Sequence, residues 1–153
     1  MDPEFRSAEE RRAAIVALMR KETGIDETMI ERLIRAFYVQ VRQDALLAPV
    51  FEERIVDWEP HLEMMFAFWA SLTLMTGRYH GQPMAKHVVL QVDASHFDRW
   101  LELFEQTARQ VCPPEAAERF IERAHRVAES LELGLACANG VLLGKGERYR
   151  RVA

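Results

Sequence analysis

The stretch Asp26–Asp44, DETMIERLIRAFYVQVRQD, decides the fold class. Ile30, Leu33, Ile34, Phe37, Tyr38 and Val41 recur at the three-and-four spacing that stacks side chains on one face of an α-helix, while Glu31, Arg32, Arg35 and Arg42 fall between them. Asp26 or Thr28 can accept hydrogen bonds from the first free amides, which sets the start of the helix. Asp44 to Pro49 ends it. A helix with one apolar face needs other elements to cover that face, so the flanking sequence has to supply them.

It supplies more helices. Upstream, Glu9 to about Arg20 carries Ala13, Ile15, Val16, Leu18 and Met19 and stops at Thr23-Gly24, where glycine suits a helix C-terminus. Downstream, Val50-Phe51 begins a short irregular segment. A third long helix opens at Asp57 and accepts Pro60, because the first turn has no amide partner to lose. It carries His61, Met65, Phe68, Trp69 and Leu72 and stops at Gly77. From Gly77 to Ser95 the pattern loosens, and Gly81, Pro83 and Asp93 leave room only for a short helix around Met84 to Leu90. Ser95 then caps a helix with Phe97, Trp100, Leu101, Phe104 and Ala108 inward, terminated by Cys112-Pro113-Pro114. The last helix, from about Glu115 to Cys137, aligns Phe120, Ile121, Ala124, Val127, Ala128, Leu131 and Leu135. No segment alternates as a strand does, so the fold class is all-α. Residues 1–7 read as an expression-vector scar, 8–138 as one domain, and 139–153 as a frayed polar tail.

Composition narrows the function. A net charge of −4 gives no broad basic face for a nucleic acid. No apolar run reaches the roughly 18 residues that cross a bilayer, so no membrane partner is expected. Cys112 and Cys137 form no CxxC pair, and a disulfide framework or zinc site is not indicated; a reducing cytoplasm is the expected location.

Two histidines stand out by position. His61 lies one turn before Met65, and His87 sits in the irregular segment after Gly81-Gln82-Pro83. A single inward histidine is most often a core residue with a backbone partner. Tyr38 and Trp100, however, share the buried stripes and bring their own polar atoms, which a small core must satisfy. A haem accounts for all four: its iron takes one neutral imidazole, and donors preset in a dry pocket stabilise the partial negative charge of a dioxygen guest. Phe51 is the one further aromatic expected to touch it. His80, His96 and His125 fall at loop, first-turn and stripe-edge positions, where solvated or local bonding is expected. The thiols lack a base partner and read as free.

Several motifs together resemble the group III truncated haemoglobins of bacteria, over about Asp26 to Leu135. They are Ala36-Phe37-Tyr38 with Val41-Arg42-Gln43-Asp44, Ala48-Pro49-Val50-Phe51, Trp58-Glu59-Pro60-His61, Phe68-Trp69, Tyr79-His80-Gly81-Gln82-Pro83-Met84-Ala85-Lys86-His87, Phe97-Asp98-Arg99-Trp100-Leu101, and Arg123-Ala124 with Ser130-Leu131. The absence of a Gly-Gly pair agrees with that group. The resemblance implies a two-over-two helical sandwich around haem b, with His87 as the iron's protein ligand. It also implies a distal side of Tyr38, His61, Met65 and Trp100, and a haem contact from Phe51. Phe97 joins the pocket, and Arg78, Tyr79 and Lys86 are candidates for the haem propionates. The sequence departs from the pattern at Gln91-Val92-Asp93, where relatives usually have a proline-containing turn, and at Met65, often a branched aliphatic residue.

On this reading the ligands are O2, NO or CO, and the role is O2/NO redox chemistry or sensing rather than transport, in a monomer or weak dimer. Two other readings stay open. One is enzymatic turnover, as an NO dioxygenase or peroxidase; the chain has no GxGxxG fingerprint, so a separate reductase would deliver electrons. The other is a cofactor-free helical module that docks a partner helix.

Overall fold

A computed structural model describes residues 7–77, 79, 81, 87 and 90–151. Among them there are six helices and no strand: α1 (Ala8–Thr23), α2 (Glu27–Gln43), α3 (Ala48–Arg54), α4 (Trp58–Leu74), α5 (Ala94–Val111) and α6 (Pro114–Ala138). Helix α2 packs on both α4 and α5, α5 on α6, and α4 on α6. The two pairs form an all-α sandwich with the core between them. None of the described helices is long and apolar enough to cross a membrane.

The decisive stretch behaves as its spacing requires. The six positions of its apolar stripe, Ile30, Leu33, Ile34, Phe37, Tyr38 and Val41, are buried, and Asp26 caps the helix by accepting from the Met29 amide at 2.8 Å. Phe37 and Phe104 are fully buried and meet edge to face at 5.2 Å between centroids; Trp69 stacks on Phe104 at 4.8 Å. Each such side chain contributes on the order of 2–3 kcal/mol by leaving water, so this aromatic spine joins α2, α4 and α5.

Local signals differ from expectation at four points. Residues Ala48–Arg54 form a helix rather than an irregular segment, with proline tolerated in the first turn where no amide is needed. Helix α4 ends at Leu74, before Gly77, because Met75 already turns into the left-handed region at φ 57°. That conformation costs a non-glycine residue about 1–2 kcal/mol, and Arg12 of α1 offsets part of it by donating to the Met75 carbonyl at 2.9 Å. Helix α5 is capped by Asp93, not Ser95. The Asp93 carboxylate accepts from the Ser95 amide and hydroxyl, and His96 Nδ1 accepts the Asp93 amide in return.

The fourth difference is the tail. The sequence predicts a frayed tail over residues 139–153, yet Tyr149 is 6% exposed and sits with Val92, Phe97, Ala128, Leu135 and Ala136. Arg148 donates to Glu132 of α6 at 2.7 Å and to Asp98 of α5 at 2.7 Å. The tail thus lies across both helices of the second pair. Composition predicts a solvated segment because it counts charges, and here the charges of Arg148 and Arg151 are partnered.

Asp44 anchors the turn that leads into α3. Its carboxylate accepts from Leu46 and Leu47 amides and from Arg99 Nε at 2.7 Å. Burial alone would raise its pKa, but the Arg99 guanidinium and the two amides hold it below the usual carboxylate range. The pair ties the turn between α2 and α3 to Arg99 of α5.

Candidate functional site

An apolar cavity of about 500 Å³ opens between the helix pairs. Tyr38 of α2, Phe51 of α3, His61 and Met65 of α4, His87, and Phe97 and Trp100 of α5 all line it. Seven of the ten site residues expected from sequence are therefore brought together there, and Tyr79 is an eighth. Arg78 and Lys86 lie outside the described residues. Cavities of roughly 300–1,000 Å³ hold small organic ligands and cofactors.

The polar groups are held by packing. Tyr38 is buried and meets Phe37 at 5.2 Å, Phe51 at 5.8 Å and His61 at 5.3 Å, in each case near edge to face. Burial pushes its phenol well above the ordinary value, so at neutral pH it keeps its proton and acts as a donor. His61 also meets the Trp58 ring at 5.8 Å and 90°, and its Nε2 is shielded from solvent. Trp100 stacks on Phe104 at 5.5 Å and takes the edge of Phe37 at 5.5 Å. An indole clamped from two sides cannot reorient cheaply, which is what a preset donor requires. Tyr79 rests its ring on Phe68 at 5.1 Å, and its backbone amide donates to Ser71.

Sequence reasoning missed part of the wall. His96, set aside as solvated or locally bonded, is indeed bonded to the Asp93 amide and also lines the cavity. Since its Nδ1 accepts, its proton sits on Nε2 when the ring is neutral. Val127 and Leu131, aligned on the apolar stripe of α6, also border the cavity. Their i, i+4 spacing reports only that they face inward, whether onto side chains or onto a bound group. Of the remaining candidates, His125 is exposed beside Glu105, and burial pushes the Cys112 thiol up to about 11, so it is no nucleophile at neutral pH.

A second, more open cleft of about 550 Å³ lies behind Tyr38, walled by Arg35, Arg42, Glu52 and Glu59. Its charges are engaged at the surface: Arg35 pairs with Glu59, and Arg42 covers the Trp58 ring at 4.6 Å. The apolar cavity, with its inward imidazoles, phenol and indole, is the chemically equipped one. Among the described residues no three His, Cys, Asp or Glu side chains gather as ligands for a bare metal ion. A metal that brings its own equatorial ligands, and needs one imidazole, suits such a cavity better.

Comparison with known proteins decides the family. A family model described as bacterial-like globin matches residues 21–132. The chain belongs to the bacterial-like globin family. Within it, the chain is 34% identical over 119 residues to the group 3 truncated hemoglobin ctb of Campylobacter jejuni, covering 74% of this chain and 93% of the relative. The crystal structure of a group III truncated hemoglobin from Campylobacter jejuni superimposes with a TM-score of 0.67 at 30% identity, over 80% of this chain and 96% of that one. A tryptophan-to-leucine mutant of the group II truncated hemoglobin of Bacillus anthracis superimposes with a TM-score of 0.63 at 21% identity, over 84% and 95%, and shows the shared fold. The globin is thus a group III truncated haemoglobin, as its motifs implied, and the family implies haem-based ligand binding. The residues present fit that group: a planar macrocycle needs an apolar slot, one imidazole and few other polar contacts, and the cavity has this character.

Proposed function

We propose that this globin binds haem b in the cavity between the helix pairs, with His87 as the residue that would hold its iron, and takes O2, NO or CO for redox chemistry or sensing. One observation carries the reading: His87 borders the same apolar cavity as three ordered donors, Tyr38, His61 and Trp100. The haem would supply an iron with one coordination position for the protein and one for a diatomic gas.

The chain's own residues determine what that position does. Tyr38 offers a protonated hydroxyl at any pH near neutral, and Trp100 offers an indole N–H locked by its neighbours. Both favour a guest that carries negative charge over a neutral one, because hydrogen bonds to charge are worth roughly 1.5–3 kcal/mol. Met65 and Phe51 exclude water and limit the space beside the donors. Tyr79 lines the cavity and its hydroxyl suits a haem carboxylate, a role that the charges of Arg78 and Lys86 also suit by their chemistry. Slow ligand release follows, which suits redox chemistry or sensing in the cytoplasm better than transport.

Spectra of the ferric, ferrous and carbonyl forms test this. A strong Soret band that is lost in His87→Gly and restored by added imidazole is expected; a full parental spectrum in His87→Gly without imidazole overturns the assignment. Catalytic nitric oxide consumption with a separate reductase would extend the role to turnover, and a merely stoichiometric reaction would leave it a binding protein.

A further inference from the structure

The segment that follows His87 is not built like the rest of the pocket. Residues 91–93 lie outside any helix, and a bend at Leu90 returns its amide to the His87 carbonyl at 3.0 Å. A non-helical segment has to find backbone partners elsewhere. Here the tail supplies them. The Ala94 amide donates to the Tyr149 carbonyl at 2.8 Å, the Arg151 amide to Asp93 Oδ2 at 3.2 Å, and Arg151 Nη1 to the Gln91 carbonyl at 3.0 Å.

The tail is itself anchored on the second helix pair, and Arg148 Nη2 also reaches the Ala94 carbonyl at 3.5 Å. Arg148 donates to both oxygens of Glu132, which is nearly buried, and reaches Asp98 as well. The Tyr149 ring fills a cluster with Val92 and Phe97, and Leu90 packs against the same cluster. Leu90, Val92 and Phe97 also line the cavity. One layer of side chains therefore separates the tail from the pocket. The residues that do this, 148–151, lie beyond the segment matched by the family model, 21–132.

We propose that residues Arg148–Arg151 are a strap that positions His87, holding segment Leu90–Ala94 from outside and so controlling how firmly the imidazole grips its metal. The proposal rests on the haem reading above. Gln91-Val92-Asp93 contains no proline to fix its φ and is held by partners instead. Arg148, Tyr149 and Arg151 are positioning residues, since none of them lines the cavity.

The test uses the full-length haem-loaded protein and three changes: Arg151→Ala, Arg148→Ala, and removal of residues 148–153. Arg151→Ala leaves Tyr149 in its cluster and Arg148 on Glu132, so it probes the strap without dismantling the packing. The readouts are the iron–histidine stretching frequency of the ferrous form, the rate of haem loss to a scavenger, and the C–O stretching frequency of the carbonyl form, which reports on Tyr38 and Trp100. The expected result is a shifted iron–histidine frequency in all three. Haem loss should be about threefold faster for Arg151→Ala and about tenfold faster for the truncation, the latter equivalent to about 1.4 kcal/mol, with the C–O frequency unchanged. Iron–histidine frequency and haem loss equal to the parent in both point variants overturn the strap, as does a C–O shift that accompanies every change, which would mark a general loosening. His87→Gly measured alongside separates the two readings. An unaltered haem complex there overturns the assignment of His87 and the strap with it, whereas its loss together with parental strap variants overturns the strap alone.

Discussion

The wall that carries Tyr38 and Trp100 and the segment that carries His87 solve the same problem in different ways. The first is continuous helix. Phe37, Trp69, Trp100 and Phe104 interlock by stacked and edge-to-face contacts, so donors are placed by the core itself. The second departs from helix directly before α5 and is held by hydrogen bonds from a tail some sixty residues away in sequence. Packing of large rings resists displacement in every direction, whereas a few partly exposed hydrogen bonds yield more readily. The two sides of one pocket can thus differ in stiffness: on the proposed reading the core sets the donors and the tail tunes the hold on the cofactor.

The largest expected effect is at the histidine. His87→Gly should abolish stable haem uptake, with added imidazole restoring the Soret band; uptake without imidazole would erase the contrast by leaving the second region without a task. Next comes the aromatic spine. Phe104→Ala should cost about 3–5 kcal/mol of unfolding free energy, read by chemical denaturation of the purified chain. A loss under about 1 kcal/mol would show that the donor wall is not held by its core.

Tyr38→Phe keeps the ring packing and removes one donor. Oxygen release should quicken by roughly ten- to a hundredfold, the equivalent of about 1.5–3 kcal/mol, in a stopped-flow displacement experiment. Release no faster than in the parent would remove Tyr38 from the site.

The smallest effect concerns the segment after His87. Burial tends to raise the Asp93 carboxyl, but the Ser95 hydroxyl, the Arg151 amide and the Ser95 amide together hold it at about 2, below its unfolded value. Because the folded value is the lower, its stabilisation is complete above about pH 4 and disappears as pH falls through about 2. Asp93→Asn should therefore flatten the acid side of the stability profile between those limits, by about 1–2 kcal/mol. An acid titration followed by circular dichroism that is identical in parent and variant would detach Asp93 from this network.

Most of the helices and much of the pocket could be read from residues alone. The three-and-four spacing of Ile30 to Val41 needs only local geometry to become a buried face, and a polar phenol or indole on such a face asks for a partner wherever it ends up. The points that could not be read share a physical cause. The cap of α5 went to Asp93 because its carboxylate has both local amides and the Arg151 amide to accept from, and the second depends on the tail. Val127 and Leu131 have the same periodicity whether they meet side chains or line a cavity.

Hydrophobic period and motif spacing are local properties of the chain, so the helices, an inward set of Tyr38, His61, His87 and Trp100, and the globin family are legible from residues alone. Only the tertiary structure decided that these groups share one cavity, that His96 borders it, and that the charged tail is strapped to α5 and α6. Those outcomes depend on contacts such as Arg148 with Glu132 and Arg151 with Asp93, which join residues far apart along the chain. Such pairs form because folding brings both partners to the same place, and neither residue carries that information alone.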